Sequence, residues 1–266
     1  MAAKASLRLA LLGGFVLSDG GREIAVAASG QRLIALLALR DRPLTRLYLA
    51  GTLWPEYRRE RSLADLRTTL WRVNQSGHPI VVATHSCLGL GGYVDVDVHR
   101  LVAFTRRLNE PALRAEEVEL DSVGLPELSG ELLPDWYEDW LLVERERFRQ
   151  LRLHALEAIC YRLTNVGRYA LALQAGLAAV ACEPLRESAQ RQVIRVHLKE
   201  GNATEALRQY WSYARLLANE LGARPSPSME QLLAGCDGQF AGCDRRPVRG
   251  LVSDRQREAV PRGQGG

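Results

Sequence analysis

Residues 62–90 read SLADLRTTLWRVNQSGHPIVVATHSCLGL, and this stretch decides the fold. Leu63, Leu66, Leu70 and Val73 fall at spacings of 3, 4 and 3, one stripe of an α-helix, with Ser62 placed to cap it. After Gly77 and Pro79 the period changes. Two apolar runs, Ile80 to Ala83 and Cys87 to Leu90, flank the polar link Thr84-His85-Ser86, which is the pattern of a β-hairpin. Upstream, Leu33, Leu36, Leu37 and Arg40 predict a short helix stopped by Asp41-Arg42-Pro43. Thr45 then caps a second helix, with Leu49 and Leu53 on its buried face and Trp54-Pro55 ending it, and Glu56 to Arg61 reads as a charged loop. Three helices followed by a hairpin is the order of a winged helix, a design in which the third helix fills a major groove and the hairpin lies along the adjacent backbone.

Working outward, the first 26 residues read as strands. Leu7, Leu9 and Leu11 alternate with Arg8 and Ala10, and Asp19-Gly20-Gly21 is a hairpin turn. Residues 97–108 look helical, and a polar stretch broken by Pro and Gly runs from Asn109 to Gly130. From Trp136 everything reads as helix. The first stripe is Leu141, Phe148, Leu151, Ala155, Ile159 and Leu163; the second is Ala170, Leu173, Leu177 and Val180. A third helix carries Ala189, Val193 and His197, and a fourth carries Leu207, Tyr210, Ala214, Leu217 and Leu221. Gly167-Arg168-Tyr169-Ala170-Leu171-Ala172-Leu173 matches Gly201-Asn202-Ala203-Thr204-Glu205-Ala206-Leu207 at Gly, Ala and Leu, an offset of about 34 residues that is the tetratricopeptide period. From Asp237 the apolar pattern stops, and a disordered, Gly- and Arg-rich tail is expected.

The chain is 47% hydrophobic and 25% charged over 266 residues, which excludes disorder for most of its length. No uninterrupted apolar run reaches the roughly 18 residues of a membrane span, so the expectation is a soluble, cytoplasmic protein with no membrane partner. Asp19, Arg22 and Glu23 separate the apolar Leu9 to Leu17 from Ala25-Val26-Ala27, against an export signal. The cysteines at 87, 160, 182, 236 and 243 form no CxxC pair, and the histidines are dispersed; no metal and no cofactor is expected. Charge is uneven along the chain. Lys and Arg exceed Asp and Glu by 7 over residues 1–107, whereas acids exceed bases by 8 over residues 108–150. A basic head of this kind points to a polyanionic partner.

The third helix offers the side chains such a partner would meet. Asp65, Thr68, Arg72 and Gln75 are placed opposite the leucine stripe, with Arg67 and Thr69 at its flanks. Arg bonds bidentately to guanine, Gln to adenine, and a Thr methyl touches thymine. Thr45 and Arg46 begin the second helix, where backbone amides and a positive charge suit a phosphate. Arg61 at the entry to the third helix and His85 at the hairpin tip complete the expected DNA-binding set. Catalysis has little to build on: Trp136, Tyr137, Glu138, Asp139 and Trp140 join aromatics to carboxylates without a paired catalytic geometry. Gly89, Gly91 and Gly92 form a hairpin exit that lacks the Gly-Lys-Ser of a phosphate loop.

Leu11-Leu12-Gly13-Gly14-Phe15, the run Gln31 to Leu37, Leu53-Trp54-Pro55 and the run Leu66 to Arg72 resemble the DNA-binding domain of the actinomycete antibiotic regulatory protein family. The runs Leu133 to Tyr137, Glu144 to Arg147, Glu183 to Glu187 and Glu205 to Tyr210 resemble that family's bacterial transcriptional activator domain. The resemblance implies an α+β winged helix of response-regulator type over residues 1–107, then an all-α tetratricopeptide-like domain over 108–236, with residues 237–266 as a basic tail. It also implies a homodimer that binds double-stranded promoter DNA, contacts RNA polymerase and activates a secondary-metabolite gene cluster. Two departures from the family's pattern stand out. Val73-Asn74-Gln75 stand where Leu and further Arg are usual, and His85 stands where a fixed charge is usual. Both lower the expected phosphate attraction. The rival reading is a protein-interaction scaffold with a degenerate winged helix.

Overall fold

The computed structural model describes residues 7–75, 79–108, 128 and 130–234. Residues up to Pro225 belong to one compact unit and residues from Ser226 to another. The tail from Asp237 and nearly all of the polar stretch from Asn109 lie outside the described residues.

The first unit opens with β1 (Leu7–Ala10), β2 (Val16–Asp19) and β3 (Arg22–Glu23) as an antiparallel meander. Its fourth strand comes from far along the chain. β7 (Val94–Val96) lies parallel to β1, pairing Leu9 with Val96, so the sheet runs β3-β2-β1-β7. The alternation read in the sequence is the pleat: Leu7, Leu9 and Leu17 are buried while Arg8 is exposed. Asp97 follows β7 directly and secures the junction. Its carboxylate accepts from the amides of Leu11 (2.8 Å), Leu12 (2.9 Å) and Val98 (2.7 Å). Burial pushes the Asp97 pKa up, and these backbone donors pull it back.

α1 (Ala28–Arg40), α2 (Arg46–Leu53) and α3 (Arg59–Asn74) follow and pack on one another. α1 is longer than Leu33 to Arg40 indicated, and Asp41 closes it in the left-handed region at φ 46°. Thr45 caps α2 as its position predicts, its Oγ1 accepting from Tyr48 N at 3.2 Å. Ser62 does not cap α3. The helix starts at Arg59, so part of the stretch read as a loop is its first turn, with Glu60 suited to the positive helix end. Ser62 is buried instead, its hydroxyl directed at the carbonyls of Trp54 (3.2 Å), Arg58 (3.3 Å) and Tyr57 (3.4 Å). The expected hairpin is β5 (Val81–Ala83) and β6 (Cys87–Leu90), and β4 (Leu44–Thr45) joins it in the order β4-β6-β5.

α4 (Asp97–Leu108) follows, and then the helices α5 (Asp139–Asn165), α6 (Tyr169–Cys182), α7 (Glu187–Glu200) and α8 (Ala203–Leu221) pack in succession. α5 begins three residues later than read, because Arg145 donates to the carbonyls of Leu132 (2.9 Å), Leu133, Pro134 (3.1 Å) and Trp136 (2.7 Å) and holds that segment as a loop. The 34-residue echo has a structural counterpart. Gly167 (φ 78°) and Gly201 (φ 88°) each end one helix in the left-handed region, and the next helix starts two residues later in both cases.

The stripe assigned to α6 is buried only in part, through Leu173 and Val180. Leu177 is 45% exposed and Ala170 is exposed, whereas Ala172, Ala175, Gly176 and Ala179 form the buried face. Those small residues let α6 approach α5 and α7 closely: a Cβ on Gly176 would meet Val193 Cγ2 at 2.9 Å and Cys160 Sγ at 3.1 Å. Burial pushes the Cys160 thiol up to about 11, so it packs as a neutral group. Leu221, at 63% exposure, likewise leaves the stripe drawn for α8. In the second unit, α9 (Pro227–Ala234) begins with Met229 N and Glu230 N both donating to Ser226 O.

Candidate nucleic-acid interface

α3 exposes its two faces unequally. Ser62, Leu66, Thr69 and Val73, at spacings of 4, 3 and 4, are buried. Thr69 is therefore on the core side at 5% exposure, not on the exposed face where it was expected. Its spacing of three from Leu66 and four to Val73 places it there, a relation hidden by the larger Leu70 next to it. Arg67, Thr68, Arg72 and Gln75 are exposed, and Asp65 is half-buried. Arg61 is exposed at the first turn with its guanidinium 4.1 Å above the Tyr57 ring.

Several arginines of this helix are left without a charged partner. Among the described residues, Arg67 and Arg72 make no ion pair, nor do Arg58 and Arg59 at the start of the helix. Several arginines of the helical region are committed. Arg149 pairs with Glu146 and Glu183, Arg186 with Glu157 at 2.8 Å, and Arg162 donates to Leu108 O at 3.0 Å. Arg40 meets the buried Glu144 at 2.9 Å, and Arg32 meets Glu138 at 3.0 Å. The exposed guanidinium groups of Arg67 and Arg72, with no ion pair of their own, are free to neutralise phosphates.

The hairpin adjoins that face through Asn74. Its Nδ2 donates to Val81 O at 2.9 Å and its Oδ1 accepts from Val81 N at 3.2 Å, so the side-chain amide pairs with β5 as a neighbouring strand would. The sequence reading counted Asn74 only as a missing charge. It is the clamp that fixes the hairpin beside the end of α3. At the other end of the hairpin, Arg46 N donates to Ser86 O at 3.1 Å and Thr45 pairs with Cys87, which brings Thr45 and Arg46 to the tip that carries the exposed His85. Thr45 Oγ1 is occupied as a cap and Arg46 N by Ser86 O, leaving the Arg46 side chain for an anion.

Sequence reasoning missed Trp71. It lies on α3 with 63% of its surface exposed, four residues after Arg67 and four before Gln75. Continuing the polar face by steps of four would have found it, but the tryptophan was read only as part of a family motif. The aromatic and acidic cluster lines a cleft of about 690 Å³ with Arg32, Gly51 and Glu56. Trp136 stacks on Phe15 at 6.2 Å, an anchoring contact.

Residues 95–235 match the bacterial transcriptional activator domain family. The chain belongs to that family. With it the resemblance to the actinomycete antibiotic regulatory proteins is shown. Regulatory protein AfsR of Streptomyces coelicolor is 29% identical over 239 residues, 85% of this chain and 24% of that protein. AfsR of Streptomyces griseus is 28% identical with the same coverage, so the chain spans about a quarter of these relatives' length. Regulatory protein DnrI of Streptomyces peucetius is 26% identical over 90% of this chain and 95% of its own. EmbR of Mycobacterium tuberculosis, solved in complex with a low-affinity phosphopeptide, superposes with a TM-score of 0.74 at 21% identity, covering 88% of this chain and 66% of that one. That likeness establishes the fold: a small N-terminal sheet region followed by a helical region. The matched family is one of transcriptional activator domains, and these relatives are regulatory proteins. Among the described residues no helix is long and apolar enough to cross a membrane.

Proposed function

We propose that this member of the activator-domain family binds double-stranded promoter DNA and activates transcription of a secondary-metabolite gene cluster. Residues 1–107 act as a winged helix of response-regulator type. α3 enters the major groove with Arg67, Thr68, Arg72 and Gln75 toward base edges, while Arg61 and Arg46 meet phosphates and the His85 hairpin lies along the backbone. Residues 108–236 act as a tetratricopeptide-like domain through which two copies pair and RNA polymerase is contacted. The observation that carries this reading is the exposed, unpaired arginine face of α3 beside a hairpin clamped to it by Asn74.

The test is a gel-shift titration on the DNA upstream of the protein's own gene, against a random duplex, at several salt concentrations. The expected outcome is preferential binding that weakens steeply with salt. Arg72→Ala should cost roughly 1–3 kcal/mol on the preferred duplex and less on the random one. Equal losses on both duplexes reassign Arg72 to phosphate. No shift at any salt favours the scaffold reading.

A further inference from the structure

We infer that Trp71 reads thymine through its C5 methyl group, so that the DNA site of this protein requires thymine opposite the C-terminal part of α3. The inference rests on the DNA-binding reading above. Arg67, Trp71 and Gln75 succeed one another by four residues along the exposed face, each a little over one turn, or roughly 6 Å, from the next. The indole thus stands between two hydrogen-bonding side chains, with Thr68 and Arg72 beside it. It contributes little to the core at 63% exposure, because Leu66 and Val73 fill that side of the helix. The unpaired arginines around it specify a polyanionic occupant. Within the major groove of such an occupant the distinctive apolar group on a base edge is the thymine methyl. A large apolar ring there gains by covering that methyl, and a hydrogen-bonding side chain would not. Arg67 and Arg72 then supply guanine contacts and phosphate neutralisation on either side, and Trp71 supplies discrimination that does not depend on charge.

The probe is a duplex enriched by the full-length protein from a random-sequence library, prepared with thymine and again with deoxyuridine, which differs only by the missing methyl. The wild-type protein should bind the deoxyuridine duplex about fourfold more weakly for each methyl it covers. Trp71→Ala should bind the thymine duplex about tenfold more weakly, should be indifferent to deoxyuridine, and should keep the salt slope, because no charge is removed. An unchanged thermal midpoint would show that the variant is folded. A wild-type protein indifferent to deoxyuridine, or a Trp71→Ala variant that still responds to it, overturns the inference while DNA binding stands; the indole then packs on sugar or on a protein. Failure to enrich any duplex overturns the DNA-binding reading, and this inference with it.

Discussion

α3 and α6 carry the same apolar spacing, yet they bury different kinds of face. In α3 the steps 3, 4 and 3 join Leu63, Leu66, Leu70 and Val73; in α6 they join Ala170, Leu173, Leu177 and Val180. Leu66 and Val73 are buried and Leu63 and Leu70 pack partly against the core, so α3 is oriented by its large residues. α6 turns its large residues partly outward and seats Ala172, Ala175, Gly176 and Ala179 against its neighbours. The difference is contrast. α3 sets arginines against leucines, and a charged side cannot enter the core, so only one orientation remains. α6 has no charged residue from Tyr169 to Cys182, so polarity does not choose. Packing distance does, and a small face permits the closest approach.

The strongest test of this contrast is in α3. Leu66 is 1% exposed, and Leu66→Ala should lower stability by about 3 kcal/mol in a urea titration. A loss under about 1 kcal/mol would mean that the polar boundary, and not the leucine, orients α3. The corresponding test in α6 adds volume. Gly176→Ala gains about 1 kcal/mol of helix propensity but drives a methyl into Val193 and Cys160, and a net loss of about 2 kcal/mol is expected. Net stabilisation would show that α6 and α7 can separate at little cost.

The same distinction explains how much was legible in the sequence. The hairpin, α2 with its Thr45 cap, α4 and the 34-residue echo were readable, because their signals are local: a change of period, a capping hydroxyl, a repeated glycine. β7 beside β1 was not, since that pairing spans more than eighty residues and three amino acids of a strand carry little pattern. Within the candidate interface, Arg67, Thr68, Arg72 and Gln75 were readable from polarity. Thr69 was misread, and Asn74 counted only as a missing charge, because composition says nothing of partners: a threonine can face the core, and an amide can pair with a strand. Trp71 was missed for the opposite reason, since a tryptophan is expected inside.

The smallest effect is expected at Leu177, the most exposed leucine of the stripe that α6 does not bury. At 45% exposure it covers only part of its apolar surface, and no cavity closes over it. Leu177→Ala therefore removes a partial transfer contribution and leaves no void, while alanine slightly favours the helix. The expected change is about 0.5 kcal/mol or less, well below that of Leu66→Ala. Concentration sharpens the test. If the proposed pairing of two copies used this side of α6, Leu177 would be buried in the dimer, and the loss would exceed about 2 kcal/mol and grow with protein concentration. A small, concentration-independent change keeps Leu177 on a free face and sends the search for the pairing surface to other exposed apolar groups, such as Leu142 and Val143 on α5 or Trp211 on α8.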